Sequence, residues 1–463
     1  MERKLSVAER VMWMSHQVGC ANCLFTAHVS GNVDESAFRT ALDLLARRHP
    51  LLGTRVEVRG LTPFFVSEGV PQIPLRVSLR KGDDDWHGEA ERELNDPISM
   101  SAGPLLRVAL LKSGDKADVL LAYHHLIGDG KSGVNLITEL LDLAGQITDG
   151  NLSPKVTRLA EHPPVEDILP EEARGLGGFL KAVAFIGGQL SNAIIQRPGK
   201  LPKDSDAPAQ DCRARTLQRR LSVQETKFLK VRCREERTTI HGAVCAAILK
   251  AVGGEIRNSH PDAKAITLTC ASAVDLRSAL SQPIKDEVGN FVSIAVTAHQ
   301  ISPHTEFWKL AIAIRSDLKR AIARKEPVVS LALLNKFLPR RIKPADLIKR
   351  IAKFNSRIMA TNLGVISIPG RFGPIALDGF NLAISMTAFP ENITAIIAIY
   401  HSQLEVTFCY SEPTLSRERI TRLMEDVIDI LERAASLPTT IPSVATDRKT
   451  RPKSLPVEVT VKG

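Results

Sequence analysis

The feature that most constrains the fold is an alternation of amphipathic helices and near-continuous apolar strands that occurs twice, on either side of a proline-punctuated stretch. In the first half, Phe38, Ala41, Leu42 and Leu45 repeat at helical spacing after Asp34, and Pro50 ends the run. Leu51 to Val58, Phe64 to Val66, Leu105 to Leu111 and Val119 to Tyr123 read as strands, the last two apolar enough to be covered on both faces. Val134, Ile137, Leu141 and Ala144 mark a further helix, with Gly145 placed to cap it. Between Asn151 and Asp211, Pro154, Pro163, Pro164, Pro170, Pro198, Pro202 and Pro208 interrupt any long element. A fresh pattern follows: helices at Gln224 to Glu235, His241 to Val252 and Glu306 to Lys325, and strands at Ile266 to Ser272 and Phe291 to Val296. Strands return at Thr361 to Ile368, Ala383 to Phe389, Ala395 to Tyr400 and Leu404 to Tyr410, the middle pair joined by a turn at Pro390-Glu391-Asn392. A helix with Ile420, Leu423, Met424, Val427 and Leu431 on one face closes the pattern.

At 463 residues, roughly three times the ~150 used as a prior for one domain, the chain is long enough for two such halves. We therefore expect a first lobe at 1–165, a connection at 166–215, a second lobe at 216–437, and a basic tail at 438–463 that does not order itself. With 44% hydrophobic and 24% charged residues, the composition excludes wholesale disorder and a polytopic membrane protein. The closest approach to a spanning segment, Gly175 to Ile195, carries Lys181, so no transmembrane segment is expected. Charges at Glu2, Arg3 and Lys4 break up any signal-peptide core. Seven cysteines, an odd number spread from Cys20 to Cys409, suit a reducing compartment better than a disulfide framework. The expected location is cytoplasmic, with peripheral membrane association left open.

A formal net charge of +10 favours anionic partners. Nucleic acid is not expected, since aromatics are 5% of the chain and do not interleave with the basic residues. Lys336, Arg340, Arg341, Lys343, Lys349 and Arg350 form the densest basic region, either a solvated helix face or a receiver of phosphate. Gly177 to Ile195 is either a lobe-connecting helix or a contact for lipid-like molecules. Cys20 and Cys23 form a C-x-x-C, but no second pair or histidine cluster follows at zinc spacing, so no metal is expected.

Chemistry concentrates at His124-His125-Leu126-Ile127-Gly128-Asp129-Gly130. An apolar strand delivers two adjacent histidines, which by the period of two point to opposite faces, so one looks into any given cleft. Asp129 can fold back across the loop, and Gly128 and Gly130 permit the positive φ that a reversal needs. Histidine suits a general base near neutral pH. The motif contains no nucleophile, no G-x-S-x-G elbow and no phosphate-cradling glycine pattern, which favours direct attack over a covalent enzyme intermediate.

This pattern resembles the HHxxxDG signature of the condensation-domain and CoA-dependent acyltransferase superfamily. Other segments resemble the same family in order: Arg47-Arg48-His49-Pro50-Leu51-Leu52, Val274-Asp275-Leu276-Arg277, Val288-Gly289-Asn290-Phe291-Val292 and Thr361-Asn362-Leu363-Gly364. The 288–292 region departs from the D-F-G-W-G of plant-type members and looks like the bacterial and fungal branch. The resemblance implies an α/β (α+β) fold of two chloramphenicol-acetyltransferase-like lobes in a V with a central solvent channel. It implies that His125 deprotonates the acceptor, that His124 belongs to the motif, and that Asp129 is structural, paired with Arg277. It further implies that Gly130 keeps the passage open, that Thr361 is a candidate oxyanion donor, and that Asn290 and Asn362 are candidate channel residues.

By the same resemblance the co-substrate is an acyl-CoA or a phosphopantetheine-linked acyl thioester on an acyl or peptidyl carrier protein, and the acceptor is a small-molecule or lipid alcohol or amine. No permanently bound cofactor is expected, the chain is expected to be a monomer, and the setting is lipid, polyketide or nonribosomal peptide biosynthesis. The alternative is a catalytically silent carrier-protein or lipid-binding module of the same fold.

Overall fold

The computed structural model describes residues 2–171, 198–261, 263–339, 341–354 and 356–436. Gly177 to Ile195, Arg340 and the 438–463 tail lie outside the described residues. Two six-stranded mixed sheets dominate. The first runs in the order Arg371–Phe372, Ile375–Ile384, Asn22–Gly31, Lys116–His124, Leu106–Ser113, Leu75–Leu79. The second runs Val292–Ile301, Ile266–Asp275, Ile358–Val365, Ile393–Tyr400, Gln403–Glu412, Arg213–Arg220. A small sheet of Glu2–Lys4, Thr62–Val66 and Arg55–Arg59 accompanies the first. The mixed α/β class is the one expected from the alternating pattern.

Each sheet buries one face against helices. Phe25, Val119, Leu121 and Tyr123 of the first sheet pack on Phe38, Leu42 and Leu45 of the helix Glu35–Arg48 and on Leu136, Leu140 and Leu141 of the helix Gly130–Thr148. The second sheet packs its Ile393, Ala395 and Ile397 under the helices Val223–Glu235, Ile240–Ser259 and Arg417–Ser436. Ile240–Ser259 is buried nearly all round, as its run Ala243-Val244-Cys245-Ala246-Ala247-Ile248-Leu249 requires. No single helix among the described residues is long and apolar enough to cross a membrane.

Two expectations are corrected. The strand in the 383–389 region is Ile375–Ile384, and it pairs antiparallel with Asn22–Gly31, so a segment assigned to the second lobe completes the first sheet. Pro390-Glu391-Asn392 does lie in the turn between the two strands, which belong to different sheets. The physical reason is that Leu377, Phe380 and Leu382 bury themselves on the first core, which also takes Ile396, Ala398 and Tyr400 from the second sheet. Gly145 does not cap its helix, which continues to Thr148 with Asp149 as cap. Instead its missing side chain makes room for the carbonyl of Phe372.

Gly133 shows the same economy of space. A Cβ there would overlap the Phe25 ring. Gly133→Ala gains about 1 kcal/mol of helix propensity, but overpacking costs about 1–3 kcal/mol. The variant is expected to unfold at lower urea concentration than the wild type, and an unchanged midpoint would show that the helix can slide away from Phe25.

Candidate active site

The strand Lys116–His124 is 0% exposed at Leu120, Leu121, Ala122, Tyr123 and His124, Leu126 to Asp129 are buried again, and His125 between them is half-buried. His124 and His125 differ accordingly. The Nδ1 of His124 accepts from the Leu126 N–H at 3.1 Å, and its ring meets His16 edge-on at 4.9 Å. Burial, followed by the neighbouring His16 and His125, holds its pKa well below the usual imidazole value. It is a neutral packing group.

His125 is oriented from two sides. Its backbone N–H donates to the Ala21 carbonyl at 2.8 Å, and its Nδ1 lies 2.7 Å from the Gly128 carbonyl. A carbonyl can only accept, so Nδ1 carries the proton and Nε2 is the site that gains or loses one. Burial pulls the pKa down, but the Cys23 side chain, the Gly128 carbonyl and the Asp129 carboxylate raise it further, leaving it at about 9. Cys23 escapes a motif-based reading: it is remote in sequence, and reaches the loop because Cys23 pairs with Tyr123 across the sheet.

Asp129, 1% exposed, is the N-cap of the helix Gly130–Thr148. Its Oδ1 accepts from the Ser132 N–H at 3.0 Å and from Arg277 Nη2 at 3.1 Å; its Oδ2 accepts from Arg277 Nη1 at 2.8 Å and from the Phe291 N–H at 3.1 Å. The carboxylate is thus saturated by a bidentate guanidinium and two amides. Arg277 also lies over the Phe291 ring, 4.7 Å from its centroid, and contacts Asp275. Asn290 Nδ2 donates to the His125 carbonyl at 3.1 Å, and Ser132 Oγ contacts both the carbonyl and the N–H of Gly289. A segment more than 140 residues away in sequence therefore clamps the histidine loop. Ser132, Tyr123, whose hydroxyl donates to the Asp129 carbonyl at 2.6 Å, and the Phe291 amide had no sequence signal of their own.

The loop glycines act differently from expectation. Neither Gly128 nor Gly130 has a positive φ. A Cβ on Gly128 would come within 2.9 Å of the Tyr123 ring, and one on Gly130 within 2.5 Å of Leu363 Cδ2, so close approach is what excludes a side chain. Leu363 brings the strand Ile358–Val365 to the loop. Thr361 in that strand is half-buried and makes no side-chain hydrogen bond among the described residues. Asn362 is exposed, and its Oδ1 accepts from the Gly364 N–H at a bulge where Gly364 has φ +71°. Neither residue contacts His125 through a hydrogen bond. Of the remaining basic region, Arg341, Lys343, Lys349 and Arg350 are exposed. No cluster of three or more His, Cys, Asp or Glu suited to a metal occurs among the described residues.

A histidine at a strand end, oriented by a carbonyl and backed by a buried Asp–Arg pair that ties two sheets together, defines a class. The Condensation domain family matches residues 4–445, and the chain belongs to that family. It is similar to the phthiocerol/phthiodiolone dimycocerosyl transferase of Mycobacterium tuberculosis (strain H37Rv), at 25% identity over 340 residues that cover 69% of this chain and 73% of that enzyme. Polyketide synthase associated protein 5 from Mycobacterium tuberculosis has the same fold, with a TM-score of 0.67 at 20% identity, covering 94% of this chain and 98% of that one. So has the trichothecene 15-O-acetyltransferase of Fusarium sporotrichioides, with a TM-score of 0.74 at 13% identity, covering 94% and 95%.

Proposed function

We propose that the protein is an acyltransferase that moves an acyl group from a thioester, carried by coenzyme A or by a carrier protein, to a hydroxyl or amine. The observation that carries this reading is the Nδ1–H of His125 held on the Gly128 carbonyl, which leaves Nε2 as the base. In the reaction, Nε2 takes the proton of the acceptor heteroatom as that atom bonds to the thioester carbonyl carbon. The C–S bond then breaks, and the imidazolium returns the proton to the departing thiolate. The ester or amide and the free thiol are the products, with no acyl-enzyme. In this reading the two sheet systems are the two lobes, donor and acceptor meet between them, and Asp129 and Arg277 hold the loop without touching substrate. Asn290 and Asn362 line the approach, and Gly130 keeps it clear.

Thr361, whose hydroxyl makes no hydrogen bond among the described residues, is the proposed donor to the oxyanion. Thr361→Val is then expected to lower kcat about 10²-fold, the usual scale for one such donor, with little change in KM. An unaffected kcat would remove Thr361 from the mechanism. The function itself is tested by incubating the full chain with a panel of acyl thioesters and of alcohols and amines, and reading products by intact mass. An acylated acceptor and stoichiometric free thiol are expected. Tight binding of acyl-carrier protein with no transfer across the panel would instead make the chain a silent binding module.

A further inference from the structure

A cleft of about 1000 Å³ lies between the two sheet systems, and no residue of the His124–Gly130 loop lines it. It sits at the opposite end of the strand that carries the histidines: Asp118 precedes His124 by six residues, about 20 Å at the rise of a strand.

One wall of the cleft is a chain of hydrogen bonds. Asp118, 1% exposed, accepts from Arg80 Nε at 2.8 Å and lies 2.6 Å from His28 Nδ1. His28 Nε2 is 2.7 Å from Asn381 Oδ1, and Asn381 Nδ2 donates to Gln218 Oε1 at 2.6 Å. Gln218 Nε2, the last atom of the chain, is buried without a hydrogen bond of standard geometry, and the Gln218 side chain faces the Glu405 carboxylate, whose pKa it helps to lower.

The charge of the cleft is incomplete. Arg80 and Arg220 are neutralised by Asp118 and Glu405, but Arg219 and Arg417 have no carboxylate partner among the described residues. Asp378 is the carboxylate there without an ion pair, which leaves one guanidinium in excess. Beside them, the Trp86 ring stacks on His87 with centroids 3.8 Å apart and meets His28 edge-on at 4.9 Å, forming an aromatic wall.

We propose that this cleft binds a small anion bearing a planar ring, the chemistry of a nucleoside diphosphate, with the phosphates on Arg219 and Arg417 and the ring against Trp86 and His87. The proposal stands apart from the acyl-transfer reading and needs no turnover to be tested. Isothermal titration of the full chain with ADP, and separately with pyrophosphate and with adenosine, reads it directly. Saturable ADP binding is expected, tighter than either half. It should weaken at least about tenfold in R219A/R417A, where charge-assisted bonds are lost at exposed positions whose replacement spares the core. Trp86→Leu should bring ADP down toward the affinity of pyrophosphate. No saturable ADP binding, or binding of equal strength in R219A/R417A, would overturn the site; pyrophosphate binding as tightly as ADP to the wild type would overturn its ring specificity.

Discussion

Replacing His125 with alanine is expected to slow acyl transfer by about 10²- to 10⁴-fold, the range typical of losing a positioned general base, while leaving the fold intact. The side chain is half-buried, and its polar contacts among the described residues are the Gly128 carbonyl three residues on and the Cys23 side chain, so truncation removes little packing. The pH dependence makes the prediction sharper. The imidazole pKa stands at about 9, because the Cys23 side chain, Gly128 and Asp129 outweigh the effect of burial. Only the neutral ring can take a proton, and two units below that value it is about one part in a hundred of the total. The kcat/KM of the free enzyme should therefore climb roughly tenfold per pH unit and level off near 9. Cys23→Ala removes a contribution that raises the pKa, so its profile should level off at lower pH. A wild-type profile flat from pH 6 to 9 would contradict the assignment. The sign for stability is opposite: a histidine pKa raised in the folded state contributes stability that is complete below about 6.5 and is lost as pH rises through about 9.

Arg277→Ala is expected to be among the most destabilising single changes in the molecule, at about 3–5 kcal/mol, because it leaves a buried carboxylate without its cation. Asp129 is 1% exposed and Arg277 12% at the side chain, so water cannot replace the lost partner. The urea midpoint should fall sharply, and transfer activity should fall with the folded fraction. Arg277→Lys should recover little, since a single ammonium cannot make the two parallel bonds to Oδ1 and Oδ2. Replacing both partners together with apolar residues of similar volume should cost far less than Arg277→Ala alone. A midpoint for Arg277→Ala equal to that of the wild type would mean that the pair does not hold the loop.

The elements themselves were legible because their causes are local. Asp34 was readable as a cap, and its side chain does accept from the Ser36 N–H. The strand into His124 was readable from uninterrupted apolar residues, and the histidine motif from seven consecutive letters. Boundaries slipped where a neighbour decided them. Nothing in Gly145 itself says that the Phe372 backbone will press against it, and so the residue read as a cap. Gly128 and Gly130 read as turn glycines for the same reason, although Tyr123 and Leu363 are what forbid a side chain there. Cys23 was legible only as half of a C-x-x-C without metal spacing, and its place beside the imidazole comes from strand pairing with Tyr123, 100 residues away.

The sequence alone determined that helices and apolar strands alternate in two halves, and that one loop carries an imidazole and a carboxylate at fixed spacing, because periodicity, capping and loop spacing act within a few residues. Only the tertiary structure decided which sheet Ile375–Ile384 completes, that Asn290 and the Phe291 amide join the expected Arg277 in clamping the loop, and that a polar cleft opens at the other end of the strand. An alternating strand fits either sheet equally well by pattern, and a buried carboxylate accepts any cation that reaches it. Both choices are made by which distant surfaces come together to exclude water, and that is a property of the folded chain.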